Sequence, residues 1–337
     1  MDAVPPARAR LVLLAILLAT APLSACRQRH DREGPTATPA AASSPAAPTE
    51  TARLAPVPSP TPGSASPGCG SPPGAGAVPG TTSVRTITAG GRERTYRLHV
   101  PAGYSTTTPL ALVFNFHGLG SNAFEQEVYS GLVPLSDREG FLLVSPQGVS
   151  NSWLIAPGVD DVAFTRQVAS ALAGEFCIDT NRVYSTGMSN GAFMSSTLAC
   201  LAGDLVAAVA PVAGVAFREG FCGRPTPVVA FHGTADAAIA FEGGTLPTGG
   251  RYAGVMPMMA GWAGHNGCDE SPAETRVSPS VRMLHYQGCT AATALYIVDG
   301  GGHTWPGAID VPRLGPTTKE ISAAELIWSF FQSHPRR

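Results

Sequence analysis

The stretch Val-Tyr-Ser-Thr-Gly-Met-Ser-Asn-Gly, residues 183–191, narrows the folds open to this chain more than any other. A β-branched and aromatic run passes directly into Gly187-Met188-Ser189-Asn190-Gly191, and a helix-forming stretch continues to Cys200. A strand that turns this sharply into a helix puts one serine at the apex, in a strained backbone conformation. Flanking glycines let strand and helix pass close together and leave the hydroxyl exposed. In a chain with 38 glycines the pattern alone is weak, so its surroundings must carry it.

The surroundings alternate in type. Residues 84–88 and 95–100 alternate apolar and polar about Gly90-Gly91, a hairpin pattern. Leu110 to Phe116 is an almost unbroken apolar run, as expected of a strand covered on both faces. A helix is expected from Asn122, with Phe124, Val128, Leu132 and Leu135 on one inner face. Strands follow at 141–145, 183–186, 205–212, 227–231 and 295–298, with helices at 162–176, 192–200 and around 256–262. Ser322-Ala323-Ala324-Glu325 is a capping box that opens a final helix. Strands alternating with helices imply an α/β fold with a mainly parallel central sheet and helices on both faces. The expected organisation is a leader at 1–25, a disordered tether at 26–80 and one domain at 81–335.

The leader follows from Arg8 and Arg10 ahead of the apolar run Leu11–Leu18, which is too short to span a bilayer comfortably. Leu23-Ser24-Ala25-Cys26 resembles a bacterial lipobox, which implies a lipidated Cys26, attachment to a membrane surface and a cell-surface or periplasmic location. The tether follows from a Pro/Ala/Ser/Thr-rich composition that cannot bury enough apolar surface to offset chain entropy. Six cysteines then remain, an even number in an exported chain. Cys268–Cys289 is the first pair by sequence proximity; Cys200–Cys222 and Cys69–Cys177 follow by elimination. No Cys-x-x-Cys and no Cys/His cluster at zinc spacing is present, so neither metal nor cofactor is expected. A formal charge of −2 gives no reason to expect nucleic acid as a partner.

In such sheets chemistry gathers beyond the carboxyl ends of the strands. A serine nucleophile needs a base, and the base an orienting acid. Of eight histidines, His303 lies past the last strand in a glycine-rich loop able to reach Ser189. His117 and His232 directly end strands and read as hydrogen-bonded structural imidazoles. Asp236 falls between Ser189 and His303 in the required order, with Asp299 the runner-up acid. An oxyanion hole would use the N–H of Asn190 and that of Leu119 or Gly118. Trp153 and Trp305 are candidates to line the mouth and stack on substrate.

Taken together, Gly-Met-Ser-Asn-Gly-Ala, Ala-Pro-Val-Ala-Gly, Phe-His-Gly-Thr-Ala-Asp and Gly-Gly-Gly-His-Thr-Trp-Pro-Gly resemble secreted polyhydroxybutyrate depolymerases and the related feruloyl and acetylxylan esterases of carbohydrate esterase family one. The resemblance spans roughly residues 69–335. It implies an α/β-hydrolase fold, Ser189 as nucleophile, His303 as base and Asp236 as acid. It also implies disulfides at Cys177, Cys200 and Cys222. The expected activity is hydrolysis of short aliphatic hydroxyalkanoate esters through an acyl-enzyme. The alternatives are a feruloyl or acetylxylan esterase, and a catalytically silent surface-binding lipoprotein.

Overall fold

The computed structural model describes residues 64–336, apart from 75, 155–157 and 247. The leader, Cys26 and the tether up to residue 63 lie outside the described residues. The strands are β1 (Thr81–Ala89), β2 (Arg92–Val100), β3 (Leu110–Phe116), β4 (Phe141–Pro146), β5 (Ile178–Met188), β6 (Ala208–Val212), β7 (Val228–Gly233), β8 (Gly244–Thr245), β9 (Arg251–Tyr252), β10 (Ala273–Ser278), β11 (Val281–His285) and β12 (Thr293–Val298). The helices are α1 (Ala123–Ser130), α2 (Leu132–Glu139), α3 (Asp161–Glu175), α4 (Asn190–Leu201), α5 (Val255–His265) and α6 (Ala323–Ser333).

Ten strands form one sheet in the order β1-β2-β4-β3-β5-β6-β7-β12-β11-β10. The centre, from β4 to β12, is parallel. The two edges are antiparallel, closed by the β1–β2 and β10–β11 hairpins. Side chains of a strand alternate between faces, and that alternation makes two cores. Leu112, Phe114 and Phe116 of β3 pack with Phe164, Val168 and Leu172 of α3 and with Met194 and Leu198 of α4. Ala111 and Val113 of the same strand face the other way, toward Leu132 and Leu135 of α2 and Ile327 and Phe331 of α6. The α/β fold with helices on both faces is therefore present. Ser322 caps α6 as its sequence implies, its side chain accepting from the Glu325 N–H.

Two expectations need correction, and one element was not anticipated. Residues 64–80 do not belong to the tether: Ala65 bridges Asp179, and Ser66 Oγ accepts from Ile178 N at 2.9 Å and donates to Phe176 O at 2.6 Å. Serine hydroxyls here complete backbone hydrogen bonding, a role that composition hides. The helix expected from Asn122 is two helices, broken at Gly131 with φ 67°. Its inward residues are Ala123, Gln126, Glu127 and Ser130, while Phe124 and Val128 are each 57% exposed. The inner face can be polar because its groups are paired: Gln126 Nε2 donates to Asn115 Oδ1 at 2.8 Å, Asn115 Nδ2 donates to Ser130 Oγ at 3.0 Å, and Arg97 pairs with Glu127 at 3.0 Å. Lastly, the β10–β11 hairpin had no counterpart in the sequence reading, since β10 is exposed almost throughout and carries no alternation.

The three disulfides are Cys69–Cys177, Cys200–Cys222 and Cys268–Cys289, the pairing expected from spacing and elimination.

Candidate active site

The turn between β5 and α4 holds Ser189 at φ 58° and ψ −118°. A β-carbon residue pays for such a conformation, and it persists only where the surroundings enforce it. Here Ser189 N donates to Val212 O at 2.9 Å, and α4 begins immediately after the serine. Both flanking glycines are required by close approach. A Cβ on Gly187 would lie 2.6 Å from Phe116 O, and one on Gly191 would run into the carbonyls of Phe116 and His117. Strand β3 thus passes too near the turn for any side chain.

The loops after β3, β7 and β12 bring the other expected residues to the same end of the sheet. Asp236, after β7, is buried at 4% exposure. Its Oδ1 accepts from Ala238 N at 2.9 Å and Ile239 N at 2.8 Å, and its Oδ2 meets His303 Nδ1 at 2.8 Å. Burial opposes the charge on Asp236. Hydrogen bonds from His232 and His303, the charge of His303 and the Ile239 amide outweigh it and hold the carboxyl below the usual carboxylate range. His303 is fixed by its backbone, with His303 N donating to Leu314 O at 2.7 Å and Gly302 N to Pro316 O at 2.8 Å. With Nδ1 directed at Asp236, Nε2 is the nitrogen left to face the cleft. Ser189 and His303 line one cleft of about 490 Å³ with Gly118 and Leu119.

His232 does more than its sequence reading implies. Its Nε2 lies 2.8 Å from Ile239 O and 3.3 Å from Asp236 Oδ2, so it is a second imidazole on the same carboxylate. The i, i+4 spacing of His232 and Asp236 across a strand end was the available clue. His117 is buried and structural, its Nε2 accepting from Gly148 N at 3.0 Å, and burial pushes its imidazole down. The runner-up Asp299 is not at the site; it pairs with Arg282 at 2.9 Å and Arg276 at 3.1 Å.

Trp153 and Trp305 do not line the cleft. They are 0% and 1% exposed, and neither is among its walls. Trp153 instead joins the two loops that flank the serine. Its N–H donates to Asn190 Oδ1 at 2.7 Å, its carbonyl accepts from Asn190 Nδ2 at 3.1 Å, and its Nε1 donates to His117 O at 2.9 Å. The strap is anchored in turn by Asp161, which accepts from Leu154 N at 2.8 Å while pairing with the buried Arg94 at 2.8 Å. Asn190 therefore has a fixed side chain, and its amide stands in the first turn of α4, where helix N–H groups lack intrahelical acceptors. The walls unforeseen from sequence are mainly apolar, among them Phe124, Val128, Tyr129, Ile309 and Leu314, with Ser121, Glu125, Gln126 and Arg313 as the polar remainder. Among the described residues no group of three or more His, Cys, Asp or Glu is placed to hold a metal ion.

Comparison with known proteins finds esterases. No family model matches the chain. The protein named "Putative esterase NocK" of Nocardia uniformis is 32% identical over 285 residues, covering 74% of this chain and 82% of that protein. Feruloyl esterase D of Neurospora crassa is 30% identical over 285 residues, covering 79% and 89% respectively. Among solved structures, an acetyl xylan esterase from Aspergillus awamori superposes with a TM-score of 0.55 at 16% identity, over 74% of this chain and 99% of that one, which supports the fold.

Proposed function

The chain belongs to the α/β-hydrolase esterases that include these relatives, and from that premise we propose that it is a serine esterase cleaving feruloyl-type esters, with Ser189, His303 and Asp236 as its triad. Ester hydrolysis through an acyl-enzyme follows from the parts. His303 takes the proton of Ser189 Oγ as the oxygen attacks the ester carbonyl. The Asp236 carboxylate steadies the imidazolium that forms. The N–H groups of Asn190 and Leu119 receive the oxyanion. The alcohol leaves with the proton from His303, and water, activated by the same imidazole, releases the acid.

The acyl group is read from α1. A helix that turns its polar side inward and leaves Phe124 and Val128 exposed beside the nucleophile has an apolar surface to cover. That observation carries the substrate reading: a flat aromatic acyl group fits walls built of Phe124, Tyr129 and Leu119. The relatives support it, since one is named a feruloyl esterase. The hydroxyalkanoate reading has less behind it, as no such enzyme is among these relatives.

A fluorophosphonate probe tests the nucleophile. One adduct, on Ser189, is expected, and Ser189→Ala abolishes it; labelling that survives the substitution contradicts the assignment, and a chain that never labels is a binding protein instead. For the amino-terminal part we propose a lipid anchor on Cys26, supported by its lipobox and by three disulfides suited to an oxidising compartment. Cells fed an alkynyl fatty acid should label the protein, and Cys26→Ala should release it unlabelled. Labelling that persists in that variant would remove the anchor from Cys26.

A further inference from the structure

A larger cleft, about 790 Å³, opens at the opposite end of the sheet, where the chain enters the central strands. Ala207, Pro227 and Ala292, each just before β6, β7 or β12, form its floor. Ser189, Asp236 and His303 follow the far ends of such strands; six residues of β7 at about 3.3 Å each put the two sites roughly 20 Å apart.

The charge lining this cleft has one sign. Arg224 and Arg336 face it together with the imidazoles of His285 and His334, and among the described residues no aspartate or glutamate is in its walls. Asp204 and Asp179, whose charges reach Arg336, are paired with Arg166 at 2.5 Å and Arg182 at 2.8 Å, and Asp269 lies behind Gly288 in the facing loop. Burial, and then the charge of Arg224, push the Arg336 guanidinium below its ordinary value. Two like charges facing one cleft cost free energy, yet the fold holds them there. Arg336 is fixed by bonds from Nη2 to Thr180 O at 2.9 Å and from its amide to Asn181 O at 2.8 Å. Arg224 sits two residues past Cys222, whose disulfide ties it to α4. The facing loop is braced by Cys268–Cys289. Two guanidinium groups that, among the described residues, form no ion pair in this cleft suit an oxyanion, which each can bind through paired N–H donors.

The cleft is far roomier than a bare oxyanion needs, and Gln287, Thr290 and Ser333 give its walls groups that hydrogen-bond hydroxyls. We propose that this cleft binds an anionic saccharide, with the carboxylate or phosphate held between Arg224 and Arg336 and the sugar hydroxyls against the polar walls. This goes beyond ester hydrolysis and does not depend on the acyl group cleaved.

Calorimetric titration of the full chain with galacturonate, glucose 6-phosphate, galactose and inorganic phosphate tests it. At least one charged sugar should bind saturably, and which one separates a uronate from a sugar phosphate as the source. Galactose should not bind. Arg224→Gln with Arg336→Gln should weaken binding at least tenfold, while hydrolysis of a small soluble ester stays at the wild-type rate and so reports an intact fold. Arg224→Lys, which keeps the charge, should retain part of the affinity. Equal binding of galactose, undiminished binding by the double variant, or no binding of either charged sugar overturns the proposal. Inorganic phosphate binding as tightly as glucose 6-phosphate overturns it too, since the sugar then contributes nothing.

Discussion

Asp236 is the residue on which the geometry of the site converges. Two amides hold one oxygen and two imidazoles approach the other, so its ionised form is favoured in the fold despite burial. A carboxyl whose folded pKa is depressed contributes stability that is complete above its unfolded value, about pH 4, and is lost as pH falls through the folded value. Asp236→Asn should therefore flatten the acid limb of the unfolding curve below about pH 4. It should also lower kcat by about 10³- to 10⁴-fold with KM little changed, because His303 loses the partner that fixes its tautomer. A fall of less than tenfold would show that His303 is oriented by something else. At this scale sequence was informative where chemistry dictates position. Ser189, Asp236 and His303 each follow a strand, in the order expected of this kind of sheet. Trp153 and Trp305 misled for the opposite reason: a tryptophan near a reactive loop looks the same in sequence whether it packs or binds. The role of Trp153 as a clasp between His117 and Asn190 depends on backbone atoms that no spacing reveals.

Among the elements, α1 decides the character of the cleft. Its apolar positions recur at helical spacing, and periodicity alone cannot say which side faces in. What reverses it is a buried polar set, Asn115, Gln126 and Ser130, that satisfies itself. Phe124 is then free to meet substrate, and Phe124→Ala should raise KM for an aromatic ester several-fold, leave thermal stability within about 0.5 kcal/mol, and change KM for an acetyl ester little. Equal effects on both esters would take Phe124 out of acyl recognition. The central strands were legible because they are continuous apolar runs with glycine-rich ends. The β10 edge was not, since an exposed edge strand needs no apolar face.

On the scale of the whole molecule, the boundary of the folded part shows what composition misses. Residues 64–80 share the tether's Pro/Ser/Gly character, yet Ser66, Gly68 and Cys69 fasten them to the end of α3 and the start of β5. A Cβ on Gly68 would lie 2.6 Å from the Phe176 backbone, so even the glycine there serves contact rather than flexibility. The Cys69–Cys177 bond spans a sequence separation of 108 residues and ties this segment to the central sheet. The same sheet then presents reactive loops at one end and a cationic cleft at the other, both placed by strand termini. The central claim, that the loops around Ser189 form an esterase site for aromatic acyl groups, is tested most directly by one comparison of rates. Methyl ferulate and a 3-hydroxybutyrate oligomer are each hydrolysed by the purified chain and by its Ser189→Ala variant. Faster cleavage of methyl ferulate, abolished in the variant, is the predicted result; faster cleavage of the oligomer, or turnover that survives the loss of Ser189, would contradict it.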